Sequence, residues 1–209
     1  MSLKRKKPTQ RSINAQNTKN NIFEAAIKLF KKYGYDRVTV EDITDNANVS
    51  KGNFYTHFPS KDSVLAEQFN RIDQAYVEAF ASIDESYSAS DKIQLLVKVM
   101  CEYINNVCGV QNIKLVYSNQ ITANRHTDIL GNTERPFYKF IREAVVQGQK
   151  SGEFRDDASE DELVNIVARF LRALIYDWCL YDEKFNLNVE WPRHLLFILS
   201  AISKNNEKK

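Results

Sequence analysis

Apolar side chains recur every three or four positions along nearly the whole of this chain, and no stretch alternates apolar with polar residues. That period lets a helix bury one face, whereas a strand needs a period of two. The clearest instance is "SEDELVNIVARFLRALIYDWCLYD", residues 159–182, where Leu163, Ile166, Val167, Phe170, Leu171, Leu174, Ile175 and Trp178 form a wide stripe. Six glycines and four prolines in 209 residues are too few for the turns of an all-β chain. Hydrophobic content of 43% beside 27% charge is enough to fill a core. The chain reads as all-α, with about nine helices and no sheet.

Caps and breakers divide the pattern. Residues 1–17 hold Lys4, Arg5, Lys6, Lys7 and Arg11 among polar residues, have little to bury, and read as a flexible basic arm. A first helix is expected from about Thr18 to Tyr33, with Gly34 suited to the left-handed position after it. Thr39 and Asp42 make a capping-box pattern for a short helix carrying Val40, Ile43 and Ala47. Ser50 caps a second short helix, Pro59 stops it, and Ser60 caps a long one. Further helices are expected from Ser90 to Val107 (ended by Gly109), over 113–121, from Pro136 to near Gly152, over 159–182 with a Ser159/Glu162 capping box, and from Pro192 to about 204. This gives a three-helix domain over 18–62 and a larger helical domain over 63–209.

The net charge of +2 hides an asymmetry. Residues 1–62 carry twelve Lys/Arg against six Asp/Glu, a balance of +6, and the remainder is at −4. A basic front end suits a polyanionic partner. No run of about 18 apolar residues exists to span a membrane, and the basic start lacks a secretory apolar stretch, so a cytoplasmic protein is expected. Cys101, Cys108 and Cys179 form no metal-ligand pattern and read as buried thiols. His57, His126 and His194 are too scattered for a metal site. No nucleophile–base pair, phosphate loop or cofactor motif points to an enzyme.

The stretch "SKGNFYTHF", residues 50–58, carries the chemistry. At about 100° per residue, Phe54 and Phe58 share a buried edge. Thr56 points away from them, with Gly52 and Asn53 beside it. Lys51 and Tyr55 flank one side and His57 the other. Eight helical residues span about 12 Å, the width of the DNA major groove. With the short helix before it and the tight turn between, this is a helix-turn-helix. The N-termini at Thr39 and Ser60 add free N–H groups suited to phosphates.

Residues 22–69, "IFEAAIKLFKKYGYDRVTVEDITDNANVSKGNFYTHFPSKDSVLAEQF", resemble the DNA-binding module of TetR/AcrR-type transcriptional repressors. "GYDRVTVEDI" and "VSKGNFYTHFPSKDSVL" agree with that family's pattern in order and spacing. "RALIYDWCLYDEKFNLNVE" is similar to the penultimate helix and following loop of AcrR-like members. The resemblance implies a homodimeric repressor on a palindromic double-stranded DNA operator, released by a small-molecule effector in the C-terminal domain. It places Lys51, Gly52, Asn53, Tyr55, Thr56 and His57 on the recognition helix, and Thr39 and Lys61 at backbone-contact positions. Asn53 stands where threonine or alanine is commoner. Asn53 and Thr56 are assigned to base edges, and Tyr55, His57, Lys51, Lys61 and Thr39 to phosphates, with Arg37 and the arm lysines adding non-specific attraction.

Apolar surface on 159–182 and 190–204 suits a two-fold, four-helix dimer interface. Tyr103, Tyr117, Phe137, Phe170, Tyr176 and Trp178 are the candidates for an effector pocket, against the plainer reading of each as core. Arg172 and Asp177 could orient a polar ligand or form a surface ion pair. The rival functions are an all-helical small-molecule enzyme and a DNA-binding protein that takes no ligand.

Overall fold

A computed structural model describes residues 9–84, 86–121, 129–182 and 184–204. Among the described residues there are nine α-helices: α1 (Gln10–Tyr33), α2 (Val40–Ala47), α3 (Lys51–His57), α4 (Lys61–Phe80), α5 (Ala89–Tyr103), α6 (Val110–Ile121), α7 (Pro136–Ser151), α8 (Glu160–Leu180) and α9 (Leu187–Ile202). One π-helical turn, Ile104–Cys108, joins α5 to α6. The only strand-like pairing among these residues is an isolated bridge between Phe154 and Ser203. The chain divides into two compact units, Met1–Glu67 and Gln68–Lys209.

In the first unit α1 packs on α2 and α3. Ile22, Ala26, Ile43 and Phe54 are fully buried at its centre. The cap expected at Thr39 is present in full: its hydroxyl accepts from Asp42 N at 3.1 Å, and the Asp42 carboxylate accepts from Thr39 N at 2.8 Å. Ser50 and Ser60 also cap as expected, accepting from Asn53 N and Ser63 N, each at 3.2 Å.

In the second unit α5 and α8 pack against α7, α9 packs on α5 and α8, and α6 packs on α8. Leu96, Val97, Ile141, Val145, Val167 and Leu171 are completely buried there. The end of α7 is built around Gly148, because the Phe154 ring lies so close that a Cβ would fall 2.2 Å from it. One residue earlier, Glu153 accepts from Ala89 N and Ser90 N at 2.8 Å each, so a carboxylate from beyond α7 caps α5.

Several boundaries depart from the sequence expectations. Residues 10–17 are not an arm but the first two turns of α1. Thr9 accepts from Ser12 N at 3.2 Å, and Gln10 and Gln16 donate to Asn14 and Asn20 one turn on. These polar i,i+4 bonds extend a helix without burying anything. Residues 1–8, with Lys4, Arg5, Lys6 and Lys7, lie outside the described residues, as does His126. Helix α5 starts under Ser88, whose capping box with Asp91 precedes the Ser90 expectation. It widens into the π turn closed by Gly109 N donating to Ile104 O at 2.8 Å, where the sequence suggests one uninterrupted helix. Pro192 lies inside α9 rather than opening it. Asn186 caps that helix by accepting from Asn188 N at 2.9 Å, which lets it begin at the fully buried Leu187. A proline at the sixth position forfeits one backbone bond, a loss the buried first turn outweighs.

Candidate functional site

The α2–turn–α3 corner is set by local chemistry. Asn48 ends α2 at φ 51°, in the left-handed region that asparagine tolerates better than most residues. Val49 N then donates to Thr44 O at 3.0 Å, and Ser50 starts α3. Asn21 of α1 reaches the end of α2, donating to Ala47 O at 2.7 Å. Phe54 and Phe58 anchor α3 from below, with ring centroids 5.9 Å apart.

The face left outside carries Lys51, Gly52, Tyr55 and Thr56, all exposed, with Asn53 and His57 half-buried at its margins. Tyr55 is 54% exposed, large for an aromatic side chain with no role in the core. A Cβ on Gly52 would meet only Ser50 Oγ, at 3.9 Å. The chain's own packing therefore sets no need for glycine there. The Thr56 hydroxyl donates back to Gly52 O at 2.9 Å, leaving its oxygen as an acceptor.

The cations are less free than their positions suggest. Lys51 pairs with Glu41 on the surface, and that contact raises the lysine's pKa while lowering the glutamate's. Such an exposed pair is weak and easily exchanged for a phosphate. Lys61 donates to Tyr35 O at 2.8 Å and Val38 O at 2.9 Å, with its ammonium 4.1 Å from the Tyr35 ring centroid. It ties α4 to the loop before α2, and burial lowers its pKa. The Tyr35 phenol bonds Asp62, and burial first, then that bond, raises its pKa. Thr39 spends its hydroxyl on the capping box. Arg37 is exposed, beside a shallow groove shared with Asp42 and Asp45.

In the second unit a cavity of about 50 Å³ lies among α4, α5, α6, α7 and α8. Ile72 and Tyr76, Met100 and Ile104, and Ile113 give it apolar walls. Of the six aromatic candidates only Tyr117 and Phe137 line it. Phe170 and Tyr176 face separate outer grooves, Tyr103 packs against the core, and Trp178 is 1% exposed inside it. Asp177 lies in the groove with Phe170, not in an ion pair with Arg172.

Sequence reasoning missed Arg135, which lines the cavity and holds Asp73 through two bonds of 2.9 and 2.8 Å. The signal was present: Asp73 falls on the buried stripe of α4, four residues after Phe69 and three before Tyr76, where an unpaired carboxylate would be costly. All three cysteines are buried, and burial raises the Cys101 pKa and pushes Cys179 up to about 11. Among the described residues no cluster of His, Cys, Asp and Glu could hold a metal, and no helix is long and apolar enough to cross a membrane.

Comparison with known proteins agrees with this architecture. Residues 22–67 match the family model for bacterial regulatory proteins, tetR family, and residues 69–200 match that for the YsiA-like protein, C-terminal region. The biofilm operon icaADBC HTH-type negative transcriptional regulator IcaR of Staphylococcus aureus is 32% identical over 177 residues, covering 80% of this chain and 87% of that one. The HTH-type transcriptional repressor DhaR of Mycobacterium sp. is 25% identical over 165 residues, covering 75% and 80%. The crystal structure of the transcriptional regulator FadR from Bacillus subtilis, in complex with stearoyl-CoA, superposes with a TM-score of 0.67 at 18% identity, covering 88% of this chain and 98% of that one.

Proposed function

The chain belongs to the TetR family of helix-turn-helix transcriptional regulators, and from that premise we propose that it is a repressor that binds a palindromic operator as a homodimer and leaves it when an effector enters the second domain. The chain is a DNA-binding regulator rather than an enzyme. The observation that carries the reading is the outer face of α3. It is small and polar, has a glycine that its own packing does not require, and is held rigid by two buried phenylalanines.

Asn53 and Thr56 offer hydrogen-bonding groups to base edges, and Tyr55, His57 and Lys51 offer donors to phosphates. Thr39 and Lys61 serve the interface mainly by fixing the corner, and Arg37 adds attraction at long range. Repression as the sign of regulation is supported by the relatives described as a negative regulator and a repressor. An effector is supported by the ligand bound to the similarly folded FadR.

Two recognition helices must lie about 34–36 Å apart to enter successive major grooves. Leu180, Val189, Leu196 and Phe197 are each at least 60% exposed on α8 and α9, apolar surface suited to a two-fold partner that fixes this spacing. An effector that favours another spacing by about 2.7 kcal/mol lowers operator affinity a hundredfold. The test is selection of bound DNA from a random duplex pool. Enrichment of an inverted repeat is expected, and a pool that stays random at low ionic strength overturns the reading.

A further inference from the structure

The cavity in the second unit is almost wholly apolar, yet two guanidinium groups face it. Their situations differ. Arg135 is neutralised by the bidentate Asp73 and also donates to Ile129 O at 3.2 Å. Arg172, half-buried on α8, has no such partner. Its Nη1 donates to two neutral oxygens, Leu130 O at 3.0 Å and the Tyr138 hydroxyl. Among the described residues no carboxylate pairs with it, and no acceptor meets its Nε or Nη2. Among the described residues the lining therefore carries one positive charge that no carboxylate balances.

Arg172 also borders the open groove beside Tyr176, so it is partly solvated, and a ligand carrying the opposite charge would balance its cavity side. Guanidinium is also the side chain whose N–H fork fits a carboxylate in two parallel bonds. We propose that the effector is an amphipathic monocarboxylate, its head group bound by Arg172 and its hydrocarbon body against Met100, Ile104, Ile113 and Phe137. This rests on the reading of the second domain as an effector domain and names the chemistry it selects. At about 50 Å³ the cavity holds only a few waters, so a ligand must widen it. The head group would compete for the bonds Arg172 now gives Leu130 and Tyr138. Tyr138 itself donates to Leu130 O at 2.8 Å, so the segment entering α7 is what the ligand would loosen.

The test is calorimetric titration of the purified full-length chain with straight-chain carboxylates from butanoate to dodecanoate. Each is compared with the matching primary alcohol, amine and coenzyme A thioester. At least one carboxylate is expected to bind tenfold or more tightly than its alcohol, with no binding by the amine. Arg172→Met is expected to abolish that preference while leaving alcohol binding unchanged, and Arg172→Lys to retain it in part. The inference is overturned if no carboxylate binds, if alcohol and acid bind alike, or if only thioesters bind and Arg172→Met leaves them unaffected. The wild-type comparison of acid with alcohol stands even if a variant misfolds. Operator binding by the unliganded chain is measured separately, so failure of the repressor reading is distinguishable from failure here.

Discussion

Lys61 illustrates how one side chain can look like a ligand contact and act as a brace. Its position beside the helix-turn-helix and its charge suggest a phosphate partner, but its ammonium holds two carbonyls that end the α1–α2 connection. Removing it leaves two part-buried carbonyls to find water instead, at about 0.5–1.5 kcal/mol. Lys61→Met is therefore expected to lower the melting temperature measurably. Tyr55, exposed and outside the core, is the contrasting case. Tyr55→Ala is expected to weaken operator binding at least fivefold in a fluorescence anisotropy titration, with the melting temperature unchanged. If instead Tyr55→Ala binds like wild type, the orientation given to α3 is wrong.

Whole elements here are stabilised at their ends as much as along their faces. Ser88 and Asp91 close a capping box on α5, and Glu153 adds two charge-assisted bonds to the same N-terminus from across the fold. A carboxylate at a helix N-terminus meets both free N–H groups and the positive end of the dipole. Glu153→Ala is expected to destabilise the second unit by about 1–2 kcal/mol, in the range of a lost cap. Hydrogen exchange should quicken at Ala89 and Ser90 while the middle of α8 stays protected. Equal exchange in both proteins would show that the local Ser88 cap suffices. The π turn after α5 belongs to this scale too, since Ile104 starts the turn and also lines the cavity. Gly109, at φ 72° and ψ 156°, then breaks the helix, and α6 starts afresh with Ile113 and Tyr117 lining the cavity.

For the whole molecule, the proposed repressor function requires α3 to be presented twice at one spacing, and the exposed apolar faces of α8 and α9 are the surface proposed for that. Phe197, 65% exposed, contributes little to the chain's own core. Phe197→Glu is expected to shift the mass measured by light scattering from dimer towards monomer and to lower operator affinity at least tenfold, without unfolding. A variant that stays dimeric would move the interface elsewhere. Helix period and capping act within a few residues of one another, so the all-helical class, the helix-turn-helix, and the caps at Thr39, Ser50 and Ser159 were legible from local pattern. Residues 10–17 escaped it because polar side-chain bonds can prolong a helix with no apolar signature, and Pro192 misled it because tertiary burial of Leu187 outweighed a local stop signal. Which side chains share the cavity emerged only from how the helices pack. Two of the six aromatic candidates meet there, joined by two arginines of which one is already neutralised. That distinction depends on residues 62 positions apart, Asp73 and Arg135, and no local pattern fixes how such distant helix faces come together.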